Sequence, residues 1–239
     1  MSELEQLQDA DFTRVLVVVA HPDDAEYGTS AAVAKWVEQG ADVGYLLLTA
    51  GEAGMKSPPA EVAPLRRAEQ RAACDVVGVN HLTILDHPDG LLEPDLNLRR
   101  SIAREIRLFR PDVVVCTNWE LEAGFGLNHA DHRAVGLATV DAIRDADNPW
   151  LFTDLADEGM APWGVTWLLV GAHSRPTHAV PISEGQLAKA VASLEAHEAY
   201  LADLPNHPAP KDFIPTLLSG AGEQLGTAHA MAYAAFKLR

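Results

Sequence analysis

The stretch that decides the fold is "VLVVVAHPDDAEYG", Val15 to Gly28, in which five aliphatic residues run without transition into a histidine, a proline and two aspartates. A continuous Val/Leu run of this kind predicts a strand buried on both faces, as in a parallel sheet. In open α/β sheets ligands bind outside the carboxyl ends of the strands, where strand order reverses. The charge therefore falls where such a fold does its chemistry.

Outward from this strand the pattern repeats. Apolar runs occur at "RVLVVVA" (14–20), "DVGYLLLTA" (42–50), "HLTILD" (81–86), "DVVVCTN" (112–118) and "VTWLLVGA" (165–172). Between them lie helical patterns: "TSAAVAKWVEQG" closing on Gly40, "PLRRAEQRAACDVVG" closing on Gly78, and "NLRRSIAREIRLFRP" stopping at Pro111. With right-handed crossovers this alternation predicts an α/β fold, a Rossmann-like, doubly wound, mostly parallel sheet with helices on both faces. Further on, Ser183 with Gln186 makes a capping box, which opens one long amphipathic helix over "EGQLAKAVASLEAHEAYLADL" that Pro205 ends. The irregular segment 145–164, with Trp150, Phe152 and Trp163, reads as a lid, a contact surface or a packed excursion. No internal repeat, low-complexity tract or Gly/Ser linker divides the chain, so one domain over 1–239 is expected.

The 239 residues carry 18 Lys plus Arg against 34 Asp plus Glu, a net charge of −16, which argues against a nucleic-acid partner. No apolar run approaches the roughly 20 residues of a membrane span, and "MSELEQLQDADFTR" lacks a basic region followed by an apolar stretch. A cytoplasmic protein without membrane partners is the expectation. Cys74 and Cys116 sit in apolar patterns and read as small buried hydrophobes rather than as a disulfide or thiolate site.

A second polar cluster, "NHADH" (128–132), follows the fourth strand by a short loop. In the common doubly wound order the first and fourth strands are neighbours across the switch point. Together the clusters offer His21, Asp23, Asp24, His129, Asp131 and His132, a nitrogen and oxygen set suited to zinc. His21 and Asp24 stand three apart at a helix start that Pro22 favours, so one face can present both. An aspartate after a strand is more often a helix cap, and a lone histidine more often structural. Six such groups at two strand ends favour the metal reading. The rival phosphate-binding loop is absent, since "AHPDDAEYG" has no G-x-G-x-x-G.

These residues resemble the LmbE-like or PIG-L-like zinc-dependent N-deacetylases, which act on N-acetylglucosaminyl groups. The resemblance rests on "AHPDDAE", "LLLTAGEAG", "LRRAEQRAACDVVGV", "HPDG" and "NHADHRAVG", spans roughly residues 14 to 140, and extends more weakly to "ISEGQLAKAVASLEAHEAYL". Ala130 stands where many members have proline, and "AAF" (234–236) lacks a glutamate that relatives often carry before their final phenylalanine.

The resemblance implies zinc on His21, Asp24 and His132, a general base in Asp23, and a polarising, proton-donating His129 oriented by Asp131. The implied reaction removes an acetyl or other acyl group from a glucosamine-type sugar or conjugate by way of a zinc-bound water, whose proton Asp23 takes. A cationic His129 would help hold the oxyanion, and either Asp23 or His129 would protonate the departing amine. Arg66 matches a family arginine and is the substrate-binding candidate, the alternative being a surface arginine paired with Glu69 or Gln70. Glu26 and Glu52 also match, as orienters or caps. "DHPDG" copies the first motif, but Gly90 replaces the second aspartate, so turn or rim duty is expected of it. His81, His173, His178, His207 and His229 read as structural or solvated, and His197 as a possible pocket residue. Two alternatives stand beside the sugar deacetylase: an amidase for another N-acyl amine or natural product, and a metal- or sugar-binding protein without turnover. A binding protein has no use for Asp23. Fe2+, Co2+ or nickel would also suit such ligands, and the family implies a homo-oligomer.

Overall fold

The computed structural model describes residues 4–123 and 126–239. In chain order the elements are β1 (Glu5–Gln6), β2 (Arg14–Val19), α1 (Asp24–Gly28), α2 (Ser30–Glu38), β3 (Asp42–Leu47), α3 (Pro59–Val77), β4 (His81–Ile84), α4 (Leu96–Phe109) and β5 (Val113–Cys116). They continue with β6 (Glu122–Ala123), β7 (Gly126–Leu127), α5 (Ala130–Asp147), α6 (Thr153–Asp157), β8 (Trp167–Gly171), β9 (His178–Ile182), α7 (Glu184–Glu195), α8 (Glu198–Asp203), α9 (Pro210–Leu225) and β10 (His229–Lys237).

The main sheet has the order β1-β9-β10-β8-β5-β2-β3-β4. β2 pairs in parallel with both β3 and β5, which puts the reversal of strand order at the end of β2. Along β2 the side chains alternate between two cores. Val15, Val17 and Val19 face the layer of α1, α2, α3, α7 and α9, while Leu16 and Val18 face α4 and α5. A strand sandwiched in this way has no solvated face, which is why its sequence is uniformly aliphatic. No helix among the described residues is long and apolar enough to cross a membrane.

The predicted strands and the three predicted helix ends are all found, with Gly40 and Gly78 in the left-handed conformation their positions call for. The structure departs from the sequence reading past Gly171. β10 runs antiparallel between β8 and β9, so this part of the sheet is not parallel. The long helix expected from Ser183 is two: the capping box is present, but the helix stops at Glu195 and α8 begins at Glu198, because His197 leaves helical geometry (φ −83°, ψ 52°) to enter the buried interior. Segment 145–164 is a packed excursion. The buried Arg107 guanidinium donates to the carbonyls of Asp145, Ala146, Asn148, Leu151 and Phe152. None of that segment lines the main cleft.

Candidate active site

β2 ends at Val19, and the chain turns into α1 through Ala20–Asp23. Asp24 shapes this turn by accepting from the amides of His21 (2.9 Å) and Ala20 (3.1 Å). Asp23 lies in the left-handed region at φ 87°, where a side chain is strained and which is uncommon outside glycine. Such strain persists where surrounding contacts over-determine it. Here Gln70 Oε1 accepts from the Asp23 amide (3.1 Å), and Arg66 Nη2 lies 3.3 Å from Asp23 Oδ1.

From the neighbouring β5, the loop to α5 brings His129, Asp131 and His132. His129 caps α5, its Nδ1 accepting from the Asp131 amide (3.2 Å). His132 Nε2 lies 3.0 Å from Asp24 Oδ1, and Asp24 Oδ2 lies 3.5 Å from His21 Nδ1, so one carboxylate stands between two imidazoles. Asn128 faces His132 Nδ1 through its Oδ1 (3.3 Å) and is itself fixed by donating to the carbonyls of Asn118 (2.6 Å) and Glu120 (3.1 Å). That contact sets the His132 tautomer and leaves Nε2 free to act as a ligand.

All six residues of the two motifs therefore converge. Two details differ from the reading of the sequence. The Asp131 carboxylate does not reach His129, because the amides of Gly90 (2.8 Å) and Leu92 (3.2 Å) capture it and turn it toward His21 Nε2 (3.2 Å). His129 is held by the Asp131 backbone instead. Arg66 is neither a surface arginine nor free to fork two hydroxyls. It is 2% exposed, donates to the carbonyls of Pro22 (2.5 Å) and Gly51 (3.2 Å), and stacks on Tyr200 with its Cζ 3.8 Å from the ring centroid. Gly51, at φ 64°, is required here, since a Cβ would lie 2.2 Å from Arg66 Nη1.

The "HPDG" turn reaches further into the site than its local pattern shows. Asp89 Oδ1 lies 3.0 Å from His21 Nε2, and Asp89 Oδ2 accepts from the Ala53 amide (2.7 Å). Glu52 props this turn by accepting from the Asp89 amide (3.1 Å). Glu26 takes the orienting option: it accepts from Gln70 Nε2 (3.1 Å) and faces the buried His197, whose Nε2 lies 3.4 Å away. His197 does not line the cleft, whereas Tyr200, Asn128, His173 and His207 do. For Asp89 the available signal was its position just beyond a parallel strand end, the same address as "HPDD".

The electrostatics follow from burying several carboxylates together. Burial opposes the His21 imidazolium, but contacts with Asp131, Asp24 and Asp89 outweigh it and push the His21 pKa up to about 12. Burial likewise opposes Asp24 ionisation, yet His132 and His21 hold it well below the usual carboxylate range. Burial pushes the Asp23 carboxyl up to about 6, with the Arg66 charge acting in the opposite direction. His129 is lowered, by burial first and then by His21 and His132, opposite to the cationic form the sequence suggested.

This donor set fits a divalent cation. The ring nitrogens of His21, His129 and His132 lie within 4.8 Å of one another, and the Asp24 carboxylate touches two of these rings. The proton held on His21 balances carboxylates that a cation would balance equally well. The cleft of about 940 Å³ opens directly onto these groups and onto Asp23.

A doubly wound sheet with imidazoles, carboxylates and a buried aspartate of raised pKa at its switch point has the make-up of a metal-assisted hydrolase. The chain belongs to the PIG-L family, GlcNAc-PI de-N-acetylase, whose pattern matches residues 16–143. It is 28% identical over 193 residues to the diacetylchitobiose deacetylase of Thermococcus kodakarensis, covering 79% of this chain and 70% of that one. It is 36% identical over 177 residues to the 1D-myo-inositol 2-acetamido-2-deoxy-alpha-D-glucopyranoside deacetylase of Kineococcus radiotolerans. That match covers 59% of this chain and 48% of the relative, so the chain spans about half of that protein's length. The fold is that of the N,N'-diacetylchitobiose deacetylase from Pyrococcus horikoshii, with a TM-score of 0.86 at 22% identity over 97% of this chain and 87% of that one.

Proposed function

We propose that this protein is a zinc-dependent N-deacetylase that removes the acetyl group from the 2-amino group of an N-acetylglucosaminyl sugar or conjugate. The observation that carries the reading is the placement of Asp23: a buried carboxyl at φ 87° that lines the cleft, held by Gln70 and Arg66 beside the His21, Asp24 and His132 ligand cluster, where burial pushes its pKa up to about 6. A group in that range is suited to take a proton near neutral pH and return it. The relatives named as deacetylases of N-acetyl amino sugars support the substrate class.

In this reading His21, Asp24 and His132 hold the metal, which when bound supplies Lewis acidity and acidifies water in the site. Asp23 accepts a proton from the attacking water and is kept in place by Arg66 and Gln70. His129 stands at the positive N-terminus of α5 with Nδ1 accepting from the Asp131 amide, so its neutral ring carries the proton on Nε2 and donates it as a hydrogen bond to the developing oxyanion. Asp131 and Asp89 fix His21, and Asn128 fixes His132. Arg66 serves the reaction through Asp23, with its role at the substrate confined to the cleft wall it shares with Tyr200. The continuous sheet from β1 to β4 supports one catalytic domain.

The test is free-amine release from a panel of N-acetylglucosaminyl conjugates by the zinc-loaded protein and by the chelator-stripped protein. Release restricted to the loaded form, with the aglycones ranked, is expected. No release from any member with one zinc bound per chain would overturn the reading.

A further inference from the structure

Asp23 holds a left-handed backbone (φ 87°), which an aspartate keeps only where its neighbours impose it. The neighbour at its amide is Gln70, whose Oε1 accepts from the Asp23 N–H (3.1 Å). A side-chain amide carries an acceptor on one arm and a donor on the other, so this bond forms in one of its two orientations. Glu26 selects that orientation by accepting from Gln70 Nε2 through Oε1 (3.1 Å). With the amide turned over, Nε2 would meet the Asp23 N–H and Oε1 would meet a carboxylate, and both bonds would be lost.

Glu26 must in turn be held. Its side chain is buried, and Oε2 has no hydrogen-bond partner among the described residues. The group that faces it is the His197 ring, with Nε2 3.4 Å from Oε2 and both side chains fully buried. A carboxylate taken out of water in this way needs a donor or a cation beside it. His197 reaches it because the chain leaves helical geometry between α7 and α8. The same break starts α8 at Glu198 and places Tyr200 against Arg66, whose Nη2 lies 3.3 Å from Asp23 Oδ1. One interruption of a helix feeds two arms that end on Asp23, at its amide through Glu26 and Gln70 and at its carboxylate through Arg66. His197 itself lines no part of the cleft and, among the described residues, belongs to no group that could hold a metal.

We propose that His197 is a positioning residue for the reaction: by fixing Glu26, and hence the Gln70 amide, it locks the strained backbone that aims Asp23 into the cleft. The proposal rests on the reading of Asp23 as the base and adds what holds that base in place. The ligand side of the turn has its own support, since Asp24 Oδ2 accepts from the amides of Ala20 and His21. Loss of the relay is therefore expected to loosen Asp23 and leave zinc bound.

His197→Met and His197→Gln have side chains of equal length, and only glutamine keeps a donor for Glu26. Both are assayed zinc-loaded for amine release, and exchange of the Asp23 amide is followed by NMR against that of Val17 in β2, which opens with the sheet. His197→Met is expected to lower kcat by about 10–100-fold with KM and zinc content near wild type. It is also expected to speed exchange at Asp23 by about tenfold relative to Val17. His197→Gln is expected to restore most of both. In the Asp23→Asn background His197→Met is expected to cost no further kcat, because the group it positions is gone. Should His197→Met not fold, His197→Leu and His197→Asn make the same comparison one atom shorter. Equal values for the two members of a pair, or losses that multiply in the Asp23→Asn background, would overturn the proposal, since a residue that only fills the core acts alike in both. Faster Asp23 exchange in the methionine variant alone, with no amine released by the wild type, would count against the reaction and support the relay. Amine release by the wild type with exchange unchanged in both variants would count against the relay alone.

Discussion

Replacing Arg66 by methionine removes the one guanidinium that joins Asp23 to the loops around it. The side chain is 2% exposed, and its two terminal nitrogens serve the carbonyls of Pro22 and Gly51 as well as the Asp23 carboxylate. One buried carbonyl, that of Pro22, is left without a donor at a cost of about 1–3 kcal/mol, while the Gly51 carbonyl still accepts from the Gly54 amide (3.1 Å). The charge effect comes on top and depends on pH. The folded-state pKa of Asp23, about 6, lies above the ordinary carboxylate value, so its ionisation destabilises the fold as pH rises through that window. Losing an adjacent cation raises a carboxyl by a further 1–3 pKa units. At pH 5 Asp23 is protonated in both proteins and the charge adds nothing. At pH 8 it adds about 1.4 kcal/mol for one unit, and no more than about 2.7 kcal/mol, because only the two units between 6 and 8 have been crossed. Urea unfolding of the metal-free wild type and Arg66→Met at pH 5 and pH 8 measures both parts. A penalty of about 1–3 kcal/mol at pH 5 that grows by about 1.4–2.7 kcal/mol at pH 8 is expected. An equal penalty at the two pH values would refute the coupling between Arg66 and Asp23.

Three further outcomes follow from the same geometry. Zinc binding at pH 7 displaces the His21 proton, held by a pKa near 12, so calorimetry in buffers of different ionisation enthalpy should show about one proton released and an affinity rising about tenfold per pH unit. Asn128→Ala frees the His132 ring and should weaken zinc binding by about 10–100-fold in competition with a chelating dye, while leaving the fold unchanged by circular dichroism. Arg107→Met strips the carbonyls of 145–152 of their shared donor and should lower stability by about 3 kcal/mol in urea, with kcat on the folded enzyme unaltered because the segment lines no part of the cleft.

The central sheet was legible because β2, β3, β5 and β8 are buried on both faces and so are written as unbroken aliphatic runs. The convergence of "HPDD" with "NHADH" was legible for a topological reason, since parallel neighbours place their carboxyl ends side by side. The C-terminal part was not. β10, "HAMAYAAFK", is largely alanine, and its strand conformation is imposed by pairing with β8 on one side and β9 on the other. α9 contains Pro215 and two glycines, which weaken the helical pattern that packing restores. That region reaches the cleft through Ala230, Met231 and Ala232 rather than through Ala234–Phe236, where the absent glutamate had drawn notice. The partners of Asp131, Asp89 and Arg66 were hidden for another reason: each contact joins segments tens of residues apart, and which carboxylate turns toward which imidazole is decided by backbone amides such as those of Gly90 and Leu92.

The most direct test of the account is Asp23→Asn, loaded with zinc and assayed for amine release from the best N-acetylglucosaminyl conjugate. Asparagine keeps the size of the side chain and removes only its capacity to take a proton. Zinc content equal to wild type with kcat lower by about 10²–10⁴-fold is the predicted result. Retention of wild-type kcat with zinc bound would contradict the assignment of Asp23 as the base, and loss of zinc would contradict its placement outside the ligand set.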